Sequence, residues 1–277
     1  NEEKQTIVPQ GGNTGLVGGG VPDQTGESVI LSLKKMNSII DFSPENRTIT
    51  VQAGCILQHI HDVVENENLY FPLNLAAKGS CTIGGNLATN AGGLNVLRYG
   101  TMREQCLGLE IVLADGTILD ELMPLLKNNT GYDLKNLFIG SEGTLGIITG
   151  ASLKLVSKPS ARATSIAVTD KFEHALVLLD RLQHYSGDQV ESFEIMPKTL
   201  LEIVYKQFPN ISQPIRPETG FVLLLEISSS KFDDLGSNNI GKSSLQNIME
   251  SCLETALKDN LISNAVVASN EAQRKAF

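Results

Sequence analysis

Three observations predict an α+β fold in two segments. Hydrophobic residues make up 41% of 277, apolar residues recur at periods of both two and about 3.6, and 21 of the 25 glycines fall before residue 151. With 19% charged residues and no uninterrupted apolar run of 18, neither a disordered chain nor a membrane span fits. Twenty-two basic against 31 acidic residues give a net charge of −9, a field that repels phosphate backbones and acidic membranes, so nucleic acid is not expected as a partner. Cys55, Cys81, Cys106 and Cys252 lack the spacing of a zinc site or a disulfide framework and suit a reducing compartment. The chain begins at Asn1 in a charged stretch and is expected to lack its natural front.

In order along the chain, residues 7–9 read as the end of a buried strand, and residues 10–20 (QGGNTGLVGGG) as a turn-rich loop without side-chain bulk. Strand pattern resumes at 29–33. Residues 39–42 and 47–52 flank Pro44-Glu45-Asn46 and form a predicted hairpin. Ile56, Ile60, Val63 and Val64 set a helical period over 55–68. Residues 78–93 (KGSCTIGGNLATNAGG) are the longest polar, glycine-bearing stretch. A second hairpin, 107–114 with 117–120, turns at Asp115-Gly116. A short helix over 133–138 precedes the loop 140–146 (GSEGTLG), and a strand over 147–156 ends before Pro159. Beyond Pro159 strands at 165–168, 192–194, 221–227 and 264–268 alternate with helices over 171–185, 197–206 and 243–257, and 271–277 stop without a cap or a turn. This end is expected to be cut as well.

Glycine allows positive φ and lets a ligand approach bare N–H groups. Three glycine loops interleaved with Asn, Thr and Ser offer many neutral donors and little positive charge, the chemistry of a diphosphate held by amides and hydroxyls. The first loop lacks the G-x-G-x-x-G spacing, which disfavours a simple NAD fold. A Walker A match exists at Gly236-Ser-Asn-Asn-Ile-Gly241-Lys242-Ser243, but the preceding strand ends nine residues earlier and the intervening SSSKFDDL is polar, so it reads as a solvent loop capping a helix. His59, His61, His174 and His184 form no metal or triad spacing. Glu142 lies in a glycine loop, where a carboxylate can accept from ligand hydroxyls or from loop amides.

At PQGGNTG (residues 9–15), AKGSCTIGGNLATNAGGLNVLRYGTMR (77–103) and NNTGYDLKNLFIGSEGTLGIIT (128–149) the sequence resembles the FAD-binding flavoenzymes typified by vanillyl-alcohol oxidase and p-cresol methylhydroxylase. The resemblance is dense to about residue 157 and thinner beyond. It implies a PCMH-type FAD domain of two α+β subdomains over 1–157, its front missing, followed by a partial α+β cap or substrate domain over 158–277. Gly11, Gly12, Asn13, Thr14 and Gly15 of the first loop, with Gly79, Ser80, Gly84, Gly85, Asn86, Thr89, Asn90 and Gly92 of the second, would wrap the pyrophosphate and ribityl chain. Glu142, Gly143, Gly146 and Ile148 would lie toward the adenosine end. Where many relatives attach flavin through a histidine, this chain has Asn13; Cys81 leaves a thioether formally open, and dissociable, non-covalent FAD is expected.

The implied reaction is oxidation of a D-2-hydroxy acid, most closely D-2-hydroxyglutarate, to the 2-oxo acid by hydride transfer to flavin N5. Electrons would leave to an acceptor such as electron-transfer flavoprotein, in the mitochondrial matrix for eukaryotic members. The family's zinc or other divalent-metal histidines, its His-Glu pair and its substrate-carboxylate arginine follow an element that corresponds to Gln273-Arg274-Lys275. No catalytic or metal-binding residue is therefore expected within these 277 residues, and this length is expected to be inactive alone. The alternatives are a D-lactate dehydrogenase of the cytochrome type from the same family, a non-catalytic flavin-binding fragment, and a phosphate-loop nucleotidase using Lys242.

Overall fold

The computed structural model describes residues 5–211, 213–231 and 244–277; the Walker A match at 236–243 lies outside the described residues. The chain divides into two compact units, Asn1–Gly93 with Tyr99–Lys158, and Leu94–Arg98 with Pro159–Phe277.

In the first unit β1 (Thr6–Gln10) pairs in parallel with β2 (Ser28–Ser32). The expectation of a buried strand at 7–9 is corrected: Ile7 is exposed, as are Val29, Ile30 and Leu31, because a two-stranded ribbon has no further layer over it. β3 (Ile39–Ser43) and β4 (Thr48–Gln52) form the predicted hairpin, closed by a bond from Arg47 N–H to the Pro44 carbonyl with Arg47 at φ +55°. α1 (Leu57–Glu65) is shorter than its period indicated and buries Leu57, Ile60 and Val64. Next come β5 (Leu69–Tyr70) and α2 (Ile83–Ala88). α2 corrects the reading of 78–93 as all loop, since Ile83 and Leu87 are wholly buried and reward a turn of helix despite two glycines.

α3 (Val96–Tyr99) and α4 (Met102–Gln105) follow, the latter opened by a capping box between Thr101 and Glu104. β6 (Cys106–Val112) and β7 (Ile118–Glu121) make the second hairpin, in which the Asp115 carboxylate accepts from Thr117 N–H at 2.9 Å and Gly116 takes φ +88°. α5 (Lys135–Phe138), β8 (Ile147–Lys154) and β9 (Val156–Ser157) complete the unit, β9 pairing with β5. The main sheet runs β3-β4-β8-β6-β7, all neighbours antiparallel. Its central strand β8 is buried on both faces, and Ile49, Val51, Leu109, Ala151 and Leu153 pack with Ile60, Phe71, Ile83 and Leu87 in one core. Each such Val, Leu, Ile or Phe side chain contributes about 1.5–3 kcal/mol on burial.

In the second unit β10 (Ala161–Thr169), α6 (Phe172–Ser186), β11 (Val190–Pro197), α7 (Lys198–Gln207), β12 (Phe221–Ser229), α8 (Ser244–Lys258) and β13 (Asn264–Val267) alternate as the sequence pattern predicts, and α9 (Glu271–Ala276) follows, a helix the sequence pattern did not indicate. The order β11-β12-β10-β13, antiparallel throughout, is the split βαβ arrangement. One face packs Ala163, Ala167, Leu223 and Leu225 under α6 and α8; the other packs Ile166, Val168 and Val222 with Leu201 of α7. Asn270 caps α9 by accepting from Gln273 N–H at 2.9 Å, and Arg274 reaches Glu226 of β12 at 3.2 Å.

Candidate cofactor site

Three loops of the first unit meet around a cleft of about 460 Å³. The first, residues 10–20, is pinned at its base by Gln10 Nε2 donating to the Gly20 carbonyl at 2.7 Å. The first and second loops touch through backbone, and the third packs on the Pro9 ring and bonds to the end of α2. A Cβ on Gly12 would lie 2.1 Å from the Ser80 carbonyl oxygen, and one on Gly143 (φ +80°) would lie 2.6 Å from Pro9 Cγ. Glu142 N–H donates to the Ala88 carbonyl at 2.9 Å. Gly12 is thus where the first loop's main chain lies directly against the second, and Gly143 where the third loop lies against the Pro9 ring, a closeness that a side chain at either position would not permit.

Thirteen of the seventeen residues expected at a cofactor line the cleft: Gly11, Gly12, Asn13, Thr14, Gly15, Gly84, Gly85, Asn86, Thr89, Glu142, Gly143, Gly146 and Ile148. Gly79, Ser80, Asn90 and Gly92 are not among the lining residues. Ser80 meets the first loop through its carbonyl, and Asn90, at φ +46°, turns its Oδ1 to Arg103 N–H at 3.0 Å. Two of the lining side chains are also used within the second loop. Asn86 Nδ2 donates to Cys81 Sγ at 3.6 Å, and Thr89 Oγ1 donates to the Gly85 carbonyl at 3.0 Å. Asn13 and Glu142 both take left-handed backbone, φ +55° and +53°.

Among the described residues the one charged residue lining the cleft is Glu142, and no Lys or Arg lines it. An anion there would be met by neutral amides and hydroxyls. Leu16 and Val17 project fully or almost fully into solvent at the rim, 101% and 84% exposed, and Leu33, Leu75, Ala76 and Ala77 add apolar wall. Neither a His nor a Cys is among the lining residues. Cys81 is buried outside the lining, and burial raises its thiol. His61 packs on Tyr70 with ring centroids 6.1 Å apart and contacts the Phe71 carbonyl at 3.1 Å; burial lowers its pKa, so it is a neutral boundary histidine. Among the described residues no group of three or more His, Cys, Asp or Glu could hold a metal.

Sequence reasoning missed Thr82. It lines the cleft, is 3% exposed, and its Oγ1 has no hydrogen-bond partner. A Thr in a glycine-rich run gives no sign of an orphaned hydroxyl, which exists only once loops one and two close on it. This orphan, the cation-free donor wall and the bare glycine backbone fit a dinucleotide diphosphate.

Fold and cleft together define a cofactor-binding flavoprotein domain, and residues 1–121 match the family profile described as an FAD binding domain. These residues belong to that family of FAD-binding domains, of the p-cresol methylhydroxylase type. It is 40% identical over 280 residues to a probable mitochondrial D-2-hydroxyglutarate dehydrogenase of Oryza sativa subsp. indica, covering 100% of this chain and 48% of the relative. It is 39% identical to the mitochondrial D-2-hydroxyglutarate dehydrogenase of Danio rerio, covering 100% of this chain and 49% of the relative. The chain therefore spans about half the length of the curated relatives it matches. A solved alkyldihydroxyacetonephosphate synthase shares the fold, with a TM-score of 0.71 at 19% identity over 98% of this chain and 49% of that one.

Proposed function

We propose that this chain is the FAD-holding part of a dehydrogenase that oxidises a D-2-hydroxy acid, D-2-hydroxyglutarate first among them, to the 2-oxo acid. The observation that carries the reading is the 39–40% identity to D-2-hydroxyglutarate dehydrogenases along all of this chain. The cation-free donor cleft within the same stretch supports it. Bound FAD would supply the acceptor for the hydride leaving C2 of the substrate. The chain's own part is to bind and orient. Amides of the first and second loops and the hydroxyls of Thr14 and Thr82 meet the diphosphate, Glu142 accepts from sugar hydroxyls, and Leu16 and Val17 cover apolar surface and exclude water. With no His or Cys among the described lining residues, FAD is held without a covalent bond.

We assign 1–157 to the FAD domain and 158–277 to the cap. The proton acceptor, the carboxylate-binding arginine and the divalent metal belong to the part of the relatives' length that this chain does not cover. Electron-transfer flavoprotein is the proposed electron acceptor, and the mitochondrial matrix of the similar proteins' compartment is the proposed location. The test is reconstitution. The 277-residue chain should retain FAD through gel filtration. A chain of the relatives' full length should be bleached anaerobically by D-2-hydroxyglutarate and more slowly by D-lactate, while the present length should take up FAD without bleaching. Failure to take up FAD sinks the reading; bleaching only by D-lactate moves the substrate.

A further inference from the structure

We infer that Glu226 is a positioning residue of the proposed dehydrogenase: through Arg274 it seats α9 on the sheet of the second unit, and so aims the stretch beyond α9, where the reading above puts the carboxylate-binding arginine. The catalytic consequence rests on that reading; the geometry lies within the second unit. α9 buries none of its residues, so no apolar face fixes it against the strands. Its ties are polar. Asn270 caps its first turn, Gln273 Oε1 accepts from both the N–H and the Oγ of Ser269 at 2.8 Å, and Arg274 Nη1 donates to Glu226 Oε2 at 3.2 Å. The first two stay within residues 269–273, while the third joins helix to sheet. Phe277 adds a half-buried ring beside Ile166, Val168 and Val222, a contact that attracts without setting a direction.

Glu226 has its own supports apart from the helix. Pairing of β11, β12 and β10 sets Ser192, Glu226 and Thr164 in one row, where side chains share a face. Thr164 Oγ1 donates to Glu226 Oε2 at 2.6 Å, and Arg162 Nε lies 3.4 Å from Oε1. Arg162 is fixed in turn, its Nη2 3.1 Å from a carboxylate oxygen of the buried Glu191 on β11. The carboxylate is thus tied to both neighbouring strands and meets the Arg274 guanidinium in one orientation. The other partner of Arg274 differs in kind. Its Nε and Nη2 each donate to Glu271 at 2.7 Å, but Glu271 is largely exposed and belongs to the same helix, so that pair travels with α9 and contributes little.

The test compares Glu226→Gln, Arg274→Met, the double variant, Arg274→Lys and Glu271→Gln in a chain of the relatives' full length loaded with FAD. Glu226→Gln and Arg274→Met should each raise KM for D-2-hydroxyglutarate by about 5- to 50-fold, with kcat within about threefold and flavin content unchanged, because a displaced carboxylate-binding group weakens substrate and transition state alike. The double variant should be no worse than either single one, and Arg274→Lys and Glu271→Gln should stay within about threefold of the parent. In the 277-residue chain, the Arg274 and Phe277 amides, which bond to the Asn270 and Gln273 carbonyls, should exchange about 3- to 10-fold faster in Glu226→Gln and keep the parent's rate in Glu271→Gln. Should Glu226→Gln not fold, Arg274→Met decides. An active parent whose KM is unmoved by either variant, or is raised equally by Glu271→Gln, overturns the inference and leaves the functional reading standing. A full-length parent that D-2-hydroxyglutarate does not bleach overturns both.

Discussion

Glu142 N–H donates to the Ala88 carbonyl at 2.9 Å, joining the third glycine loop to the last residue of α2 and holding Glu142 at φ +53°. A left-handed backbone at a residue with a Cβ is strained, and here it aims a carboxylate along the cleft wall. The two effects separate by substitution. Glu142→Gly should be more stable than Glu142→Ala by about 1 kcal/mol in urea unfolding, since only glycine adopts that φ without cost. Both should bind FAD more weakly than the parent. Equal stability of the two variants would show that the loop re-forms in another conformation.

The contact between Gly12 and the Ser80 carbonyl makes a second contrast. A Cβ at Gly12 would sit 2.1 Å from that oxygen, whereas one at Gly15 would meet nothing within 4 Å. Gly12→Ala should therefore cost on the order of 1–3 kcal/mol or more, and Gly15→Ala close to none, in thermal or urea unfolding. A stable Gly12→Ala chain with normal FAD uptake would remove the close approach of the two loops from the account.

The chain has no tryptophan, and Leu16 is fully exposed at the cleft rim. Leu16→Trp thus introduces a single emitter beside the site. Its fluorescence should be quenched on titration with FAD and recover on dilution, consistent with a dissociable cofactor. No quenching while flavin is bound would mean that the rim does not close on the ligand.

Four free cysteines lie in the two cores, and burial pushes the thiols up, to about 11 for Cys55 and Cys252 and about 12 for Cys106. The thiolate is the reactive form, so a disulfide reagent at neutral pH should find almost no titratable thiol in the native chain and all four after denaturation. Fast labelling of one thiol in the native chain would identify a segment that opens locally.

Arg274 holds the Glu271 carboxylate down to about 2 through a two-pronged contact, both distances 2.7 Å. A carboxylate whose folded pKa lies below its unfolded value adds stability above the unfolded pKa and loses it as pH falls through the folded one. Glu271 is largely exposed, so the contribution is small once solvent screening is counted. An NMR titration should place Glu271 near 2 in the parent and return it toward 4 in Arg274→Met, with acid unfolding little changed.

Periodicity made the alternation of the second unit legible almost element by element, because each strand and helix there carries a long apolar face. The cofactor loops were legible by composition, and most residues expected at the site do line the cleft. Some pieces were not. α2 was hidden because Gly84 and Gly85 depress helix propensity, and burial of Ile83 and Leu87 overrides it. Residues 7–9 read as the end of a buried strand, yet Ile7 is exposed and Val8 and Pro9 only half-buried, since local pattern does not say whether a second layer exists.

The kind of surface was thus written in residue type: glycine, amide and hydroxyl side chains with almost no cation, which limits the ligand to one held by neutral donors. Which of those groups are available was a matter of packing. Ser80 and Asn90 have the chemistry but are not among the lining residues, the side chains of Asn86 and Thr89 are engaged inside their own loop, and Thr82, unremarked in the sequence, ends with a buried hydroxyl and no partner. Hydrogen-bond satisfaction depends on distances between loops some 70 residues apart, such as Gly11 and Thr82, and those distances exist only after the two loops have closed together.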